Sequence, residues 1–457
     1  MSWVSVDELK SLVDRGEVNT IICAAPDHWG RLIGKRLQPR TFFDVALRDE
    51  GLHGSLFLMC VDMEMEPRDG YAVSDWTRGF QDFRFVPDLN TLRVIPWQPA
   101  TAIVICDLYE EKSDSMISVA PRSILKNQLK RAASHGISLK CATELEFFLY
   151  RNSLEDAWNK RYTGLEPLSR YRSDYNIFQG TQIDDFAVDV RQMLSQADVE
   201  VESSKPEWGF GQQEINLRYT EALEMADRHS LFKMAVKEIA AKKGWIATFM
   251  AKPYFEDVGS SCHIHVSLWD KEGQKPLGWD ESKDGNLSDT MNRFLGGTMA
   301  ATRDFTVCYA PTVNSYKRLQ PETFAPTKIA VGDDNRTCSH RLCGHGNSFR
   351  FENRIPGADV QPYIAISAAI ASGLHGLTED IAAPTLYAGN TYEDTDLEEI
   401  STSYGGAIDS FGNSSVAKAA FGEDAHAHLT QFYATEHDDF QRFTVTDWER
   451  IRYFERI

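Results

Sequence analysis

Apolar positions near the start of the chain fall first at helical spacing and then in short extended runs. Leu9, Leu12 and Val13 form a helical stripe behind the capping box Ser5-Val-Asp-Glu8, and the stripe stops at Gly16. Residues 18–24 and 33–37 are apolar runs around the turn Asp27-His-Trp-Gly30, which predicts a strand pair. Runs at 54–60, 92–96 and 102–108 predict further strands, so the first 110 or so residues read as sheet-rich with little helix. A polar run near 110–114 marks the domain boundary, placed within 110–120. Beyond it the spacing predicts a helix over 121–134 closed by Gly136, followed by alternating strands and helices. The clearest helix is 221–243, with Leu231, Ala235, Val236, Ile239 and Ala240 on one face and Gly244 at its end.

Composition narrows the class. A chain of 457 residues suggests two or three domains or one large catalytic body. Its 42% hydrophobic and 25% charged residues are ordinary globular usage. The net charge of −19 argues against holding nucleic acid or an anionic membrane through bulk charge, so any bound polyphosphate needs arginines or metal cations gathered locally. The N-terminus lacks the basic start and unbroken apolar run of a signal peptide, and the apolar stretch 364–374 is too short to span a bilayer. Eight cysteines without a CxxC pair read as reduced, mostly buried thiols, and the expected location is the cytoplasm.

Three strand-like segments place charged groups at alternate positions, hence on one face of an extended chain. They are Glu144 and Glu146; His263, His265 and Ser267; and Arg350, Glu352 and Arg354. Any one alone reads most simply as the solvated face of an antiparallel strand. Together with Glu207 and Glu214, which flank the Gly-rich run Trp208-Gly-Phe-Gly-Gln-Gln213, they bring five carboxylates and one or two histidines within reach of one concave site. Such a donor set suits Mg²⁺ or Mn²⁺ better than zinc, and its size suits a two-metal clamp on a polyphosphate. Neither a Walker A sequence nor a GxGxxG after a strand is present. A nucleotide would therefore be held by metals and by arginines such as Arg318, Arg336, Arg341, Arg350 and Arg354.

Six ordered motifs then resemble the glutamine synthetase family over nearly the whole chain: Ala142-Thr-Glu-Leu-Glu-Phe-Phe148, Gly211-Gln-Gln-Glu214, Ser260-Ser-Cys-His-Ile-His265, Asn314-Ser-Tyr-Lys-Arg318, Asp334-Asn-Arg336 and Phe351-Glu-Asn-Arg-Ile-Pro-Gly357. Pro87-Asp88 agrees as well. The resemblance implies an α+β protein, with a small β-grasp domain over 1–112 and a catalytic domain over 113–457 built on a curved antiparallel sheet. It implies a homo-oligomer, usually a dodecamer of two hexameric rings, with active sites between neighbouring subunits. It implies two or more Mg²⁺ or Mn²⁺ ions per site, with ATP as co-substrate. By position, Glu146, Glu207 and Glu214 would hold one ion, and Glu144, His263 and Glu352 the other. Glu202, His265, Ser267, Arg341 and Arg350 would face ATP, and Arg336 would act between its phosphates and the acyl group. Gly259, Arg318 and Arg354 would hold L-glutamate. In the implied reaction the γ-carboxylate is phosphorylated to an acyl phosphate, which an amine then displaces.

Departures from the family lie on the amine side. Ammonia-using members carry a glutamate just before Ala-Pro on a flap; here Phe324 occupies that position, with Glu322 two residues earlier. Val258 replaces an asparagine that touches glutamate. The ammonium-site aspartate aligns loosely with Asp69-Gly70, anchored by Trp76, and Tyr175 is a soft match for an amine-site tyrosine. No bacterial adenylylation segment appears cleanly around Tyr392. Phe324, Tyr175 and Asp69 are thus the expected amine pocket, and Asp69 the expected acceptor of the amine proton. An aromatic ring in place of a carboxylate suits an apolar stem better than a small cation. The chain therefore resembles the γ-glutamyl-amine ligases of the family, which act on polyamines, ethanolamine or other monoamines. The competing readings are an ammonia-using glutamine synthetase with an unusual flap and a non-catalytic structural or regulatory relative.

Overall fold

The computed structural model describes residues 3–48 and 51–457; the first two residues of the N-terminal segment fall outside that range. The helix Val6–Asp14 opens on the expected capping box: Glu8 N donates to Ser5 Oγ (3.2 Å) and Ser5 N to Glu8 Oε2 (2.8 Å). Strands β1 (Thr20–Pro26) and β2 (Leu32–Leu37) form the expected antiparallel pair. Their turn is held by Asp27 Oδ1, which accepts from Trp29 N (2.9 Å) and Arg31 N (2.8 Å), while Gly30 supplies a φ of +78°. The sheet is completed by β3 (Leu52–Ser55), β4 (Asp82–Pro87), β5 (Arg93–Val94) and β6 (Thr101–Glu110). Its order is β2-β1-β6-β4-β3, with β5 also pairing β6, and β1 runs parallel to β6.

The strand expected over 54–60 is corrected. Pairing with β4 stops at Ser55, whose hydroxyl accepts from Phe57 N, and Leu56–Met59 coil into a 3₁₀ turn. A short apolar run satisfies either geometry, and here the serine cap decided it. The strand expected over 92–96 shrinks to the two residues of β5.

The second sheet carries the chemistry. It comprises β7 (Ile137–Tyr150), β8 (Val201–Pro206), β9 (Gln212–Leu217), β10 (Thr220–Glu221), β11 (Ile246–Thr248), β12 (Cys262–Asp270), β13 (Val331–Asp333), β14 (His340–Cys343) and β15 (Arg350–Asn353). The order is β13-β14-β15-β12-β7-β9-β8, antiparallel except for β13–β14, and β10 and β11 pair with β7. Along β7 the residues Leu139, Cys141, Thr143, Leu145 and Phe147 are buried, which turns Glu144 and Glu146 to the opposite, open face.

Helices Pro121–Ser134 and Ala222–Lys242 cover the apolar face of β7, and the almost wholly buried Pro362–Thr378 packs behind them. Both expected helices are present, with Gly136 and Gly244 at their ends. Arg122 ties these layers to the first sheet. Its guanidinium donates to Asp107 (2.6 Å), Asp88 (2.8 Å) and Asp227 (2.9 Å), almost without exposure to water. All eight cysteines are free and buried, and no helix among the described residues is long and apolar enough to cross a membrane.

Candidate active site

Strand register builds the site. Glu146 on β7 stands opposite Glu214 on β9, Glu144 opposite His263 on β12, and His265 opposite Glu352 on β15. Glu207 follows β8 directly, in a turn closed by Glu207 N donating to Gln212 O (3.0 Å). The result is two separate groups, Glu146/Glu207/Glu214 and Glu144/His263/Glu352, and the ligand atoms within each lie within 4.8 Å of one another. These are the two trios that the sequence motifs pick out.

The surroundings suit a hard cation in each. Around the first trio, Gln212 Nε2 donates to Glu146 Oε2 (3.1 Å), and Ser261 N donates to the same oxygen (2.8 Å). Burial pushes the Glu146 carboxyl up to about 7, with Glu207 adding to the shift. Burial, then the charge of Glu144, pushes Glu214 up to about 10. Carboxylates this reluctant to ionise are short of neutralising charge even with the Lys205 ammonium beside Glu207 and Glu214, and a metal ion would supply it. In the second trio burial is outweighed: His263 and Arg354 pull Glu352 down to about 2, and His263 and His265 hold Glu144 well below the ordinary range. Arg354 Nη1 donates to Glu352 Oε1 (2.6 Å) and Arg341 Nη1 to its Oε2 (2.8 Å). His263 Nδ1 lies 3.1 Å from Glu352 Oε1 and 3.7 Å from Glu144 Oε1 but is aligned for a hydrogen bond with neither. A buried ring nitrogen left unpaired between two carboxylates is a fitting ligand for a divalent ion.

Beside the second trio, a cavity of about 490 Å³ is lined by Glu144, Glu202, His265, Ser267 and Arg350, joining four of the expected ATP-facing residues. Arg350 Nε donates to His265 Nδ1 (3.2 Å), so the network puts the ring proton on Nε2, 3.0 Å from Glu144 Oε2. Arg341 spans Asp334 (2.9 Å) and Glu352. Arg336 is exposed on the turn between β13 and β14.

On the other flank, Arg318 is buried and donates to Ile355 O (2.8 Å) and Arg354 O (3.1 Å). Gly259 abuts it, for a Cβ there would meet Arg318 Cγ and Ala251 O at 2.7 Å each. Arg354 Nε is buried without a partner, and its Nη2 donates to Phe324 O (3.3 Å). Phe324 thus sits at the mouth of the second trio with its side chain turned to solvent, 67% exposed.

Two expected residues stay apart from the trios within one chain. Asp69 is exposed, and its carbonyl accepts from Gln431 Nε2 (3.3 Å) on the helix Glu423–Phe443. Tyr175 is exposed and is linked to the first trio through Lys205, whose Nζ lies 4.3 Å from its ring centre. Sequence reasoning missed Lys205, Gln212 as a support for Glu146, and Tyr392, whose Oη donates to Ala325 O (2.9 Å) and so pins the flap. It also missed Lys140 over Trp269 (3.9 Å) in the cavity wall. The alternation of β12 and β7 could have pointed to Trp269 and Lys140, and the motif Gly211-Gln-Gln-Glu214 to Gln212; Lys205 and Tyr392 are single residues in unpatterned stretches.

A curled antiparallel sheet with two carboxylate-rich centres on its open face, flanked by arginines, is the architecture of a catalytic domain of one family. Residues 118–453 match the catalytic domain of glutamine synthetase, and the chain belongs to the glutamine synthetase family. Among its relatives is γ-glutamylethanolamide synthetase GlnA4 of Streptomyces coelicolor, 44% identical over 454 residues, covering 99% of this chain and 96% of that one. A glutamate–isopropylamine ligase from a Pseudomonas species is 33% identical over 453 residues, 98% of each chain. The structure of GmaS without ligand superposes with a TM-score of 0.85 at 27% identity, covering 98% of this chain and 100% of that one.

Proposed function

We propose that the protein is an ATP-dependent ligase that joins the γ-carboxylate of L-glutamate to a primary amine through a γ-glutamyl phosphate intermediate. The amine is ethanolamine, another monoamine or a polyamine. The observation that carries this reading is Phe324: the flap position that holds a glutamate in ammonia-using members presents an aromatic ring beside Arg354 and the second trio. A glutamate there would add a negative charge and a proton acceptor for ammonium. Phenylalanine offers apolar area instead, worth about 25 cal/mol per Å² buried by a carbon stem. The names of the relatives, an ethanolamide synthetase and an isopropylamine ligase, point the same way.

The chain's own residues divide the work. Arg318 and Arg354 hold the glutamate with Gly259 leaving room, and Glu202, His265, Ser267, Arg341 and Arg350 face the nucleotide. Arg336 moves onto the transferring phosphoryl, and Asp69 takes the amine proton. The trios Glu146/Glu207/Glu214 and Glu144/His263/Glu352 hold Mg²⁺ or Mn²⁺, which when bound would neutralise the charge gathered by two anionic substrates. Asp69 lies apart from both trios within one chain, which supports a site completed by a neighbouring subunit; the family resemblance supplies the form of that assembly, a dodecamer of two hexameric rings in the cytoplasm. Its subunits divide into domains at 1–112 and 113–457. A phosphate-release assay with ATP, Mg²⁺ and glutamate against ammonium, ethanolamine, alkyl and aromatic monoamines, putrescine, cadaverine and spermine tests the reading. Turnover is expected with an amine that has a stem and little with ammonium; equal use of ammonium would return the protein to the ammonia-using members.

A further inference from the structure

Lys205 has no part in the roles above, yet it stands inside the first trio. It lies on β8 opposite Glu214 of β9, so strand pairing itself directs the side chain to the carboxylates. Its ammonium is ion-paired with Glu207 and lies 3.9 Å from Glu214 Oε2. Away from the trio it also reaches Asp174 Oδ1 (3.4 Å) and the face of Tyr175 (4.3 Å to the ring centre). The loop holding those two residues is fastened to the end of β8, with Tyr175 N donating to Pro206 O (3.4 Å). Tyr175 adopts a φ of +58°, a conformation a tyrosine keeps only where its surroundings hold it.

An ammonium and a divalent ion cannot share these oxygens. Both would seek Glu207 and Glu214, and like charges a few ångströms apart repel strongly at a partly buried site. A lysine stem is long and freely rotating, and a second seat for this ammonium is already in contact. We propose that Lys205 is a positioning residue: its ammonium holds the place of the first divalent ion and, when the ion enters, shifts onto Asp174 and Tyr175. Loading the trio thereby fixes the loop proposed to line the amine site. This rests on reading the trio as a metal centre.

Full-length protein titrated with Mn²⁺ and followed by electron paramagnetic resonance, without nucleotide or substrate, gives the number and affinity of bound ions. Lys205→Met keeps the stem and removes the charge, and should bind one Mn²⁺ about tenfold tighter than wild type. Its KM for the amine should rise by about tenfold, with the KM values for ATP and glutamate unchanged and the amine KM recovered in Lys205→Arg. Unchanged or weaker Mn²⁺ binding, or an unchanged amine KM, overturns the proposal. If Lys205→Met fails to fold, Tyr175→Leu tests the same device: with the second seat reduced, Mn²⁺ should bind a few-fold more weakly, and unchanged affinity counts against it. Glu207→Gln separates the two readings. Should it leave Mn²⁺ stoichiometry and affinity as in wild type, the metal assignment of the trio fails, whatever Lys205 does.

Discussion

Burial makes Glu146 and Glu214 hold their protons more tightly than ordinary carboxyls do. Replacing Glu146 or Glu352 with Ala removes one ligand from each trio and leaves the remaining charges uncompensated. Turnover should fall by several orders of magnitude with the circular dichroism spectrum unchanged; wild-type turnover in Glu146→Ala would refute the two-ion assignment. The same burial predicts a pH dependence. Glu146, raised to about 7, imposes no penalty below the ordinary carboxylate range and an increasing one as pH climbs through 7. For this residue alone the cost is on the order of 3 kcal/mol. Glu214 acts in the same direction, whereas Glu144 and Glu352, being depressed, stay ionised throughout and lose their contribution only in acid. Metal-free protein should therefore melt at progressively lower temperature from pH 5 to 8, and the rise in melting temperature on adding Mn²⁺ should grow over that range. Scanning fluorimetry with and without chelator measures both. At Phe324, exchange to Glu should raise ammonium use relative to the best amine.

Two of the contacts between elements can be tested by single substitutions. Arg122 carries three carboxylates from β6, the turn after β4 and the helix Ala222–Lys242, so Arg122→Met leaves the buried Asp227 without its cation and Asp107 and Asp88 with Lys126 alone. The expected loss is about 3–5 kcal/mol in urea unfolding. Gly259→Ala inserts a methyl against Arg318, and kcat/KM for glutamate should drop by about 10²-fold if the guanidinium moves by an ångström. At this scale the sequence was readable wherever a period was sustained. The alternation of β7 and β12 showed which face Glu144, Glu146, His263 and His265 share. It failed at 54–60, because a short apolar run lacks a period and the Ser55 cap acts through a single hydroxyl.

For the whole molecule, the proposed need for a neighbour's Asp69 makes activity depend on assembly. Exposed apolar residues near the C-terminus, Phe443, Trp448, Ile451 and Phe454, are a surface that association would cover. Removing residues 444–457 should shift light-scattering mass toward smaller species and lower activity in proportion; fully active monomers would rule the shared site out. What the sequence determined by itself was the alternation of β7 and β12, the face their charged residues share and, through the ordered family motifs, the residues of both trios and the unusual Phe324, because these rest on local periodicity and on motif order. Only the tertiary structure decided how closely the ligand atoms of each trio gather, that Lys205 intrudes on one of them, that Tyr392 pins the flap, and that Asp69 lies against the helix Glu423–Phe443. Each of these depends on the register between strands or on a contact between residues distant in the chain, and neither leaves a periodic trace in the order of amino acids.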